Sequence, residues 1–367
     1  MFVLAALSYL VTIFAVGLFI VRLRELISLY KKQQPDPTRS NNRGARSKNM
    51  LKEVLGHTKM LNFTGTGIAH WFVMVGFGAL FGTLITAYGQ LISPDFALPI
   101  IGHFVGYELF AEVIAALTGI GIVTLIGIRQ ATRFWHKGRT SRFAGSNQGR
   151  AYYVEATILA VVFCVIALRG LEGALAGEKS WSLHYAISWP AVTFFSSWST
   201  SAIESAIVVV AAAKIFVSML WFIVIASNLT MGVAWHRFLA FFNIYFKRNI
   251  DQPSLGALPE MLSHGKPVNF EDPAEDDVFG LGTRGDISWK GLLDMTSCTE
   301  CGRCQSQCPA WHTDKPLSPK LLIMAMRDHA MAKVVETENL VGENAPIALD
   351  VLWSCTSCGA CVEECPV

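Results

Sequence analysis

Eight of the nine cysteines lie in the last third of the 367-residue chain, in two runs of one pattern. The first is Cys298-x2-Cys301-x2-Cys304-x3-Cys308-Pro309, and after 46 residues comes Cys355-x2-Cys358-x2-Cys361-x3-Cys365-Pro366. Three thiolates at this spacing wrap one side of an iron–sulfur cube, and the fourth, before the proline, crosses to the cube of the other run. Cys298, Cys301, Cys304 and Cys365 are therefore expected to hold one [4Fe–4S] cluster, and Cys355, Cys358, Cys361 and Cys308 a second. CxxC pairs also bind zinc, but the complete run with its proline, found twice, favours the clusters. Gly302 and Gly359 follow the second cysteine of each run, where a tight turn suits glycine. Cys164 stands alone in an apolar stretch and reads as a small core residue.

Two histidines in apolar stretches are the next group with chemistry to offer. His70 sits about six residues from the start of one stretch and His236 about six residues before the end of another. At 1.5 Å per residue both lie roughly 9 Å inside the same boundary. Two histidines at one depth suit the axial positions of one haem, and an intramembrane ionisable group is a functional candidate by default. The alternative is a hydrogen bond to a neighbouring helix. His57 is a rival ligand that precedes its apolar stretch. His103, His136, His184, His264, His312 and His329 fall near surfaces, in loops or in the cysteine-rich part.

Glu108 and Glu112 are four residues apart and share one helix face. A lone charge at mid-membrane costs about 2.5–3.5 kcal/mol on insertion scales and needs a partner or a role. We read this pair as candidates for proton transfer or a quinone site. An ion pair, with Lys214 as the partner, is the competing reading, as is a Lys214 that snorkels to the interface.

These groups need elements to hold them. The chain is 52% hydrophobic and 16% charged, with net charge +2. That sum divides into +12 over residues 1–250 and −10 over residues 251–367. The division excludes one uniform soluble domain. Clustered cysteines in a long chain exclude a secreted disulfide scaffold, and nothing reads as a nucleic-acid recognition motif. No phosphate-cradling, flavin or nicotinamide fingerprint is present.

A bilayer core needs about 20 mostly apolar residues per helix. Five stretches qualify: Phe2–Val21, Gly65–Tyr88, Phe104–Ile128, Val154–Leu171 and Ile207–Phe242. The fifth is too long for one straight span, so part of it is expected to tilt or protrude. Trp181–Ser199, with Pro190 inside, reads as an interfacial loop. Nineteen of the first 22 basic residues lie on one side of these spans, in Arg22–Lys59, Arg129–Arg150 and after the last span. The positive-inside rule puts that side in the cytoplasm, with the N-terminus outside and the cluster domain cytoplasmic. The basic loops are read first as this topology signal, and second as docking surfaces for the acidic cluster domain. The expected organisation is a membrane domain over residues 1–250, a linker over 251–285 with Pro253, Pro259, Pro267 and Pro273, and a cluster domain over 286–367. Within the last, Ser318-Pro319 reads as a helix start, with the helix running from Leu321 to Val335.

Here the chain resembles a family. The segment Gly67-Ile-Ala-His70-Trp-Phe-Val-Met-Val-Gly76 looks like the second helix of the haem-b gamma subunit of respiratory nitrate reductases. Val233-Ala-Trp-His236-Arg-Phe looks like the end of its fifth. The resemblance implies a mainly α fold, with a five-helix transmembrane haem-b bundle followed by a small ferredoxin-type domain. It also implies one haem b on His70 and His236, and Arg237 can pair with a haem propionate. The family's second histidine pair falls here on Leu80 and Ser218, so a second haem is not expected.

Fused to two cluster motifs, the chain is similar to bacterial membrane iron–sulfur reductases related to heterodisulfide reductase, among them the electron-transfer flavoprotein:menaquinone oxidoreductases. These usually continue into further cysteine-rich repeats, whereas this sequence stops at Val367. The expectation is a truncated polypeptide or a separate cysteine-rich catalytic subunit. The implied activity is electron transfer between a soluble cytoplasmic protein, such as electron-transfer flavoprotein, and menaquinone or another quinone in a bacterial or archaeal plasma membrane. Reverse flow from quinol, and a non-catalytic anchor that conducts electrons, are the alternatives.

Overall fold

Long apolar runs without interior proline dictate long helices, because in a bilayer backbone polar groups must be satisfied within the segment. The computed structural model describes residues 2–248, 260–332 and 337–367. In chain order its membrane-side elements are α1 (Phe2–Lys32), α2 (Arg43–Leu55), α3 (Thr64–Ala79), α4 (Phe81–Gln90), α5 (Val105–Trp135), α6 (Gln148–Leu175), α7 (Trp189–Phe195), α8 (Thr200–Ser227) and α9 (Gly232–Tyr245). A two-residue hairpin, β1 (Leu262–Ser263) and β2 (Lys266–Pro267), follows. The cysteine-rich part holds α10 (Trp289–Ser297), α11 (Arg303–Ser306), α12 (Pro309–His312), α13 (Pro319–Met331), α14 (Leu349–Trp353) and α15 (Ala360–Glu363).

Among the described residues, α1, α5, α6 and α8 are long and apolar enough to cross a membrane, and a bent pair ending in α4 makes five if it is one span. The bend is 42°, at Leu80. The expected interfacial stretch contains a 3-10 turn, Leu183–Tyr185, and one short α-helix, α7, with a proline in its first turn. Of the expected linker, 251–259 lie outside the described residues, as do 333–335 of the expected Leu321–Val335 helix, which starts at Pro319 and is helical to Met331.

The chain forms two compact units that are not consecutive in sequence. The first comprises residues 1–21, 63–129 and 151–227. Its core is Ala15, Ala87, Leu168, Leu171 and, along α8, Ile203, Ile207, Val208, Ala211, Ala212 and Ile215. Small residues let helices approach closely. A Cβ on Gly121 would stand 2.6 Å from the Ala69 carbonyl oxygen, and one on Gly76 would stand 2.0 Å from Thr118 Oγ1.

The second unit comprises residues 22–62, 130–150 and 228–367. Its core gathers Ile287, Leu292, Met295, Ala330 and Leu340, with Leu29 and Tyr30 packed against them. The basic stretches are thus built into the cluster-bearing unit. Docking, the second of the two readings of these loops, is what the structure shows. The contacts are mostly hydrogen bonds to backbone. Arg139 stacks on Trp311 at 3.9 Å and donates to the carbonyls of Trp311 and Lys315 at 3.0 and 2.6 Å. Gln305 donates to the Ser141 carbonyl at 3.2 Å. Lys59–Glu363 at 2.8 Å and Arg139–Asp314 at 3.3 Å are ion pairs between loop and acidic domain, both well exposed and so worth little.

Candidate functional site

The cysteine loops owe their shape to two glycines. Gly302 and Gly359 have φ of +72° and +71° and open the short helices α11 and α15. A Cβ on Gly302 would also lie 1.8 Å from the Arg142 carbonyl oxygen. Gly232, at the start of α9, comes equally close to the other end of the first loop, where a Cβ would lie 1.9 Å from the Cys298 carbonyl oxygen. Gly302→Ala should therefore combine left-handed strain with a backbone clash. We expect purified protein to lose at least half its iron and to unfold several degrees lower, read by iron assay and thermal melt. An unchanged iron content would show that the loop accommodates the side chain.

Thiols of the two runs lie close enough to act on one another. Burial pushes the Cys304 thiol up, and the further groups that raise it are Cys301, Cys298, Cys365 and, last, Cys361. The Cys361 thiol is raised by burial and then by Cys355 and Cys308. Cys365 of the second run thus acts on the first set, and Cys308 of the first run on the second. Burial raises Cys298 to about 11. A thiol held protonated in this way must release its proton when it ligates iron. Cys358, on the surface, is lowered by backbone N–H and hydroxyl donors. Among the described residues no three His, Cys, Asp or Glu side chains are grouped to hold a single metal ion. A cubane attaches its four thiolates to four different irons and asks for no such group. Soft donors on two loops, each turned by a left-handed glycine, fit iron–sulfur ligation.

The two histidines fall in different units. His70 lies on α3 in the first unit, half-buried. His236, expected inside the fifth span, is instead on α9 in the second unit. The apolar stretch Ile207–Phe242 breaks after Ser227 because its freed backbone groups find partners. The Asn228 carbonyl accepts from Trp235 Nε1 at 3.2 Å, and Arg150 donates to the Thr230 carbonyl at 3.2 Å. His236 Nδ1 is 3.2 Å from the Gly232 carbonyl oxygen. Arg237 follows it on α9. His57 is buried, with φ +49° and Nδ1 2.8 Å from the Val54 carbonyl oxygen.

Glu108 and Glu112 are both buried on α5, and Arg169 of α6 pairs with each, at 3.2 and 3.3 Å. Glu112 also accepts from the backbone N–H of Ile187 and Ser188 at 2.8 and 3.2 Å and from Ser188 Oγ at 2.5 Å. It is fully bonded and pins the start of α7. Glu108 instead reaches outward, with His184 Nδ1 at 2.5 Å on a side chain that is 44% exposed. Lys214 is neither the partner of Glu112 nor a snorkelling residue. It is 1% exposed and donates to the carbonyl and hydroxyl of Thr83 at 2.8 and 2.7 Å.

These groups surround a cavity of about 240 Å³ lined by Thr83, Gln90, Tyr107, Glu108, Arg169 and Lys214, among others. Gln90 donates to Glu172 at 2.5 Å, while its Oε1 and the Tyr107 hydroxyl are buried without a hydrogen-bond partner. Sequence reasoning missed Arg169, Gln90 and His184. In the sequence Arg169 is simply one of the three basic residues that lie opposite the other nineteen. Its position one helical turn before Glu172, inside an apolar run, was the available signal.

Comparison with known proteins adds the following. Residues 297–367 match the 4Fe-4S dicluster domain. The chain is 26% identical to an EtfAB:quinone oxidoreductase of Syntrophomonas wolfei, over 82% of this chain and 44% of the relative. It is 32% identical to a protein of Chromohalobacter salexigens described as a membrane-anchored ferredoxin, over 38% of this chain and 25% of the relative. It is 27% identical to subunit C2 of the H(2)/formate:CoB-CoM heterodisulfide,ferredoxin reductase of Methanococcus maripaludis, over 30% of this chain and 43% of the relative. The chain spans less than half the length of each. No solved structure matches. With a dicluster domain behind a set of helices long and apolar enough for a membrane, the chain is similar to membrane-associated iron–sulfur oxidoreductases such as these relatives.

Proposed function

We propose that the protein moves electrons between a soluble cytoplasmic donor and a quinone, menaquinone being the first candidate, in the plasma membrane. The observation that carries this reading is a pair of four-cysteine runs whose thiols act on one another, in a unit that includes the basic loops. The relative named for EtfAB and quinone makes electron-transfer flavoprotein the donor class to test first. Bound [4Fe–4S] clusters would supply one-electron storage. His70 and His236 are assigned as axial ligands of one haem b on the strength of their sequence contexts. The basic-side bias of 19 to 3 supports a cytoplasmic cluster domain.

Quinone chemistry moves protons as well as electrons. We assign the polar cavity to the quinone headgroup or its proton path. Glu108 is the group that links the cavity to the exposed His184, and Glu112 holds Arg169 and α7 in place. Thr83 on the cavity wall comes thirteen residues after His70, roughly 20 Å of helix, so the cavity belongs to the far end of the bundle from that histidine.

The test is re-oxidation of the dithionite-reduced full chain in detergent by a soluble menaquinone analogue, followed through the cluster absorbance. Wild type should re-oxidise, and Glu108→Gln should slow the reaction at least tenfold with iron content unchanged. Failure of wild type to re-oxidise would remove the quinone from this reading. An unaffected Glu108→Gln would remove the carboxylate from the proton path.

A further inference from the structure

Three of the buried cations of the second unit fall between Cys298 and Cys355 in the chain. Arg303, Lys320 and Arg327 are 2%, 1% and 1% exposed. All three sit at the first cysteine loop: Arg303 adjoins Cys304 in the chain, Arg327 pairs with Glu300 between Cys298 and Cys301, and Lys320 bonds the Arg142 carbonyl that faces Gly302 and the Ser146 hydroxyl that donates to the Glu300 carbonyl. The thiols they act on are Cys298, Cys301, Cys304 and Cys365. The carboxylates nearby are Glu300, which pairs with Arg327 at 3.2 Å, the exposed Asp328, also on Arg327 at 2.9 Å, and Glu364 within reach of Arg303. Glu300 is itself tied down, accepting from the Asn147 backbone N–H at 2.9 Å.

Lys320 is different in kind. Its three N–H donors go to the carbonyls of Arg142 and Ala144 and the hydroxyl of Ser146, at 3.0, 2.6 and 2.8 Å. All three acceptors are neutral. A buried ammonium saturated by neutral oxygens keeps its full charge in a low-dielectric place, which is costly unless an anion sits close by. Burial lowers Lys320, and the thiols of the first set together with Glu300 act against it, which leaves the ammonium at about 8.

Residues 337–367, which carry Cys355, Cys358 and Cys361, contain no lysine or arginine. Cys361 feels Cys355 and Cys308. Lys59, which reaches α15, is paired with Glu363 on the surface. Cys355 and Cys358 are exposed, whereas Cys298, Cys301 and Cys304 are half-buried and Cys365 is exposed. Water at the second set also stabilises added negative charge and opposes the asymmetry. Buried charges, being little screened, act more strongly than solvent-exposed ones.

We infer that Lys320, supported by Arg303 and Arg327, raises the reduction potential of the cluster held by Cys298, Cys301, Cys304 and Cys365 above that of the cluster held by Cys308, Cys355, Cys358 and Cys361. One electron given to the domain by a one-electron reductant then resides at the cation-lined set. The exposed set passes it on and returns to its oxidised state. No bond forms or breaks, and no proton is needed, because Lys320 already carries its charge. Lys320 is a positioning residue for the electron and touches no substrate. This inference rests on both clusters being present.

The test is a redox titration of the full chain in detergent, followed by low-temperature electron paramagnetic resonance. Wild type should show two cluster signals that titrate apart. In Lys320→Met, at a fixed potential, the reduced-to-oxidised ratio of the higher-potential signal should fall at least tenfold, which is 59 mV for a one-electron couple. The lower-potential signal should stay in place, and Lys320→Arg should restore the separation. If Lys320→Met loses iron, Arg303→Gln is titrated in its stead with the same expectation. Two retained clusters with an unmoved higher-potential signal would overturn the inference, as would movement of the lower one alone. A wild type without two cluster signals would instead overturn the dicluster reading beneath it.

Discussion

Serine at Cys308 should abolish the cluster of the second cysteine run, and serine at Cys365 the cluster of the first. Each variant should fall from about eight non-haem irons per chain to about four. A reading by sequence proximity alone makes the opposite assignment, so the two substitutions separate crossed from uncrossed ligation. The structure supports the crossing through the thiols that act on one another: Cys365 on Cys304, and Cys308 on Cys361. The variants should also differ in how much else they lose. Cys308 is 6% exposed and packs with Ala310, Trp311 and Leu317. Replacing its sulfur with a smaller, more polar oxygen adds destabilisation of a typical core kind, about 1 kcal/mol. Cys365 is exposed and its loss should be local. The measurement is iron and sulfide content with electron paramagnetic resonance of the remaining cluster. If Cys308→Ser kept the signal that Cys365→Ser also kept, crossing would be wrong.

The second large effect concerns the haem. His236→Ala and His70→Ala should each remove the haem absorbance from a reduced-minus-oxidised spectrum and leave the iron–sulfur signal intact. An axial ligand has no substitute on a helix whose neighbouring positions are apolar, as Val233, Ala234 and Trp235 are. Truncation at His236 leaves the Gly232 carbonyl oxygen without its present partner at 3.2 Å. That loss is about 1 kcal/mol and would not by itself unfold α9. Full haem retention in either variant would end the assignment of that histidine.

The sequence makes some of this legible and hides the rest, for reasons that can be named. The cysteine runs are local patterns, and their ligand roles depend on spacing that no tertiary context alters. The apolar stretches are equally plain, but their ends are not. α1 continues to Lys32, past the apolar limit at Val21, because helix propagation does not stop where hydrophobicity does. The break at Asn228–Met231 is invisible to a hydropathy window, since it depends on Arg150, nearly eighty residues away, bonding to Thr230. Composition likewise reports the charge of Lys320, Arg303 and Arg327 but not their burial. Burial here depends on carbonyl oxygens from other segments, such as Arg142 and Ala144 for Lys320 and Lys59 and Met60 for Arg303. The docking of the basic loops was legible as charge, yet the loops dock chiefly through backbone groups and ring stacking, which charge counting does not see.

The interleaving of the second unit also fixes an order of manufacture. Residues 22–62 and 130–150 leave the ribosome long before the cysteines do, and they flank helices that must already be inserted. The acceptors for Lys320 and the carbonyl partners of Arg303 are therefore in place at the membrane when residues 298–365 emerge. Chain synthesis, insertion and cluster loading are in this way serial. The metal-binding part is the last to be finished, and it is completed against a surface that only a correctly threaded polypeptide presents. A chain threaded with those loops on the wrong side would leave the Lys320 ammonium facing water where protein oxygens belong. Faulty topology would then show itself as a failure to hold iron, giving the cell a single readable mark by which misassembled copies differ from good ones.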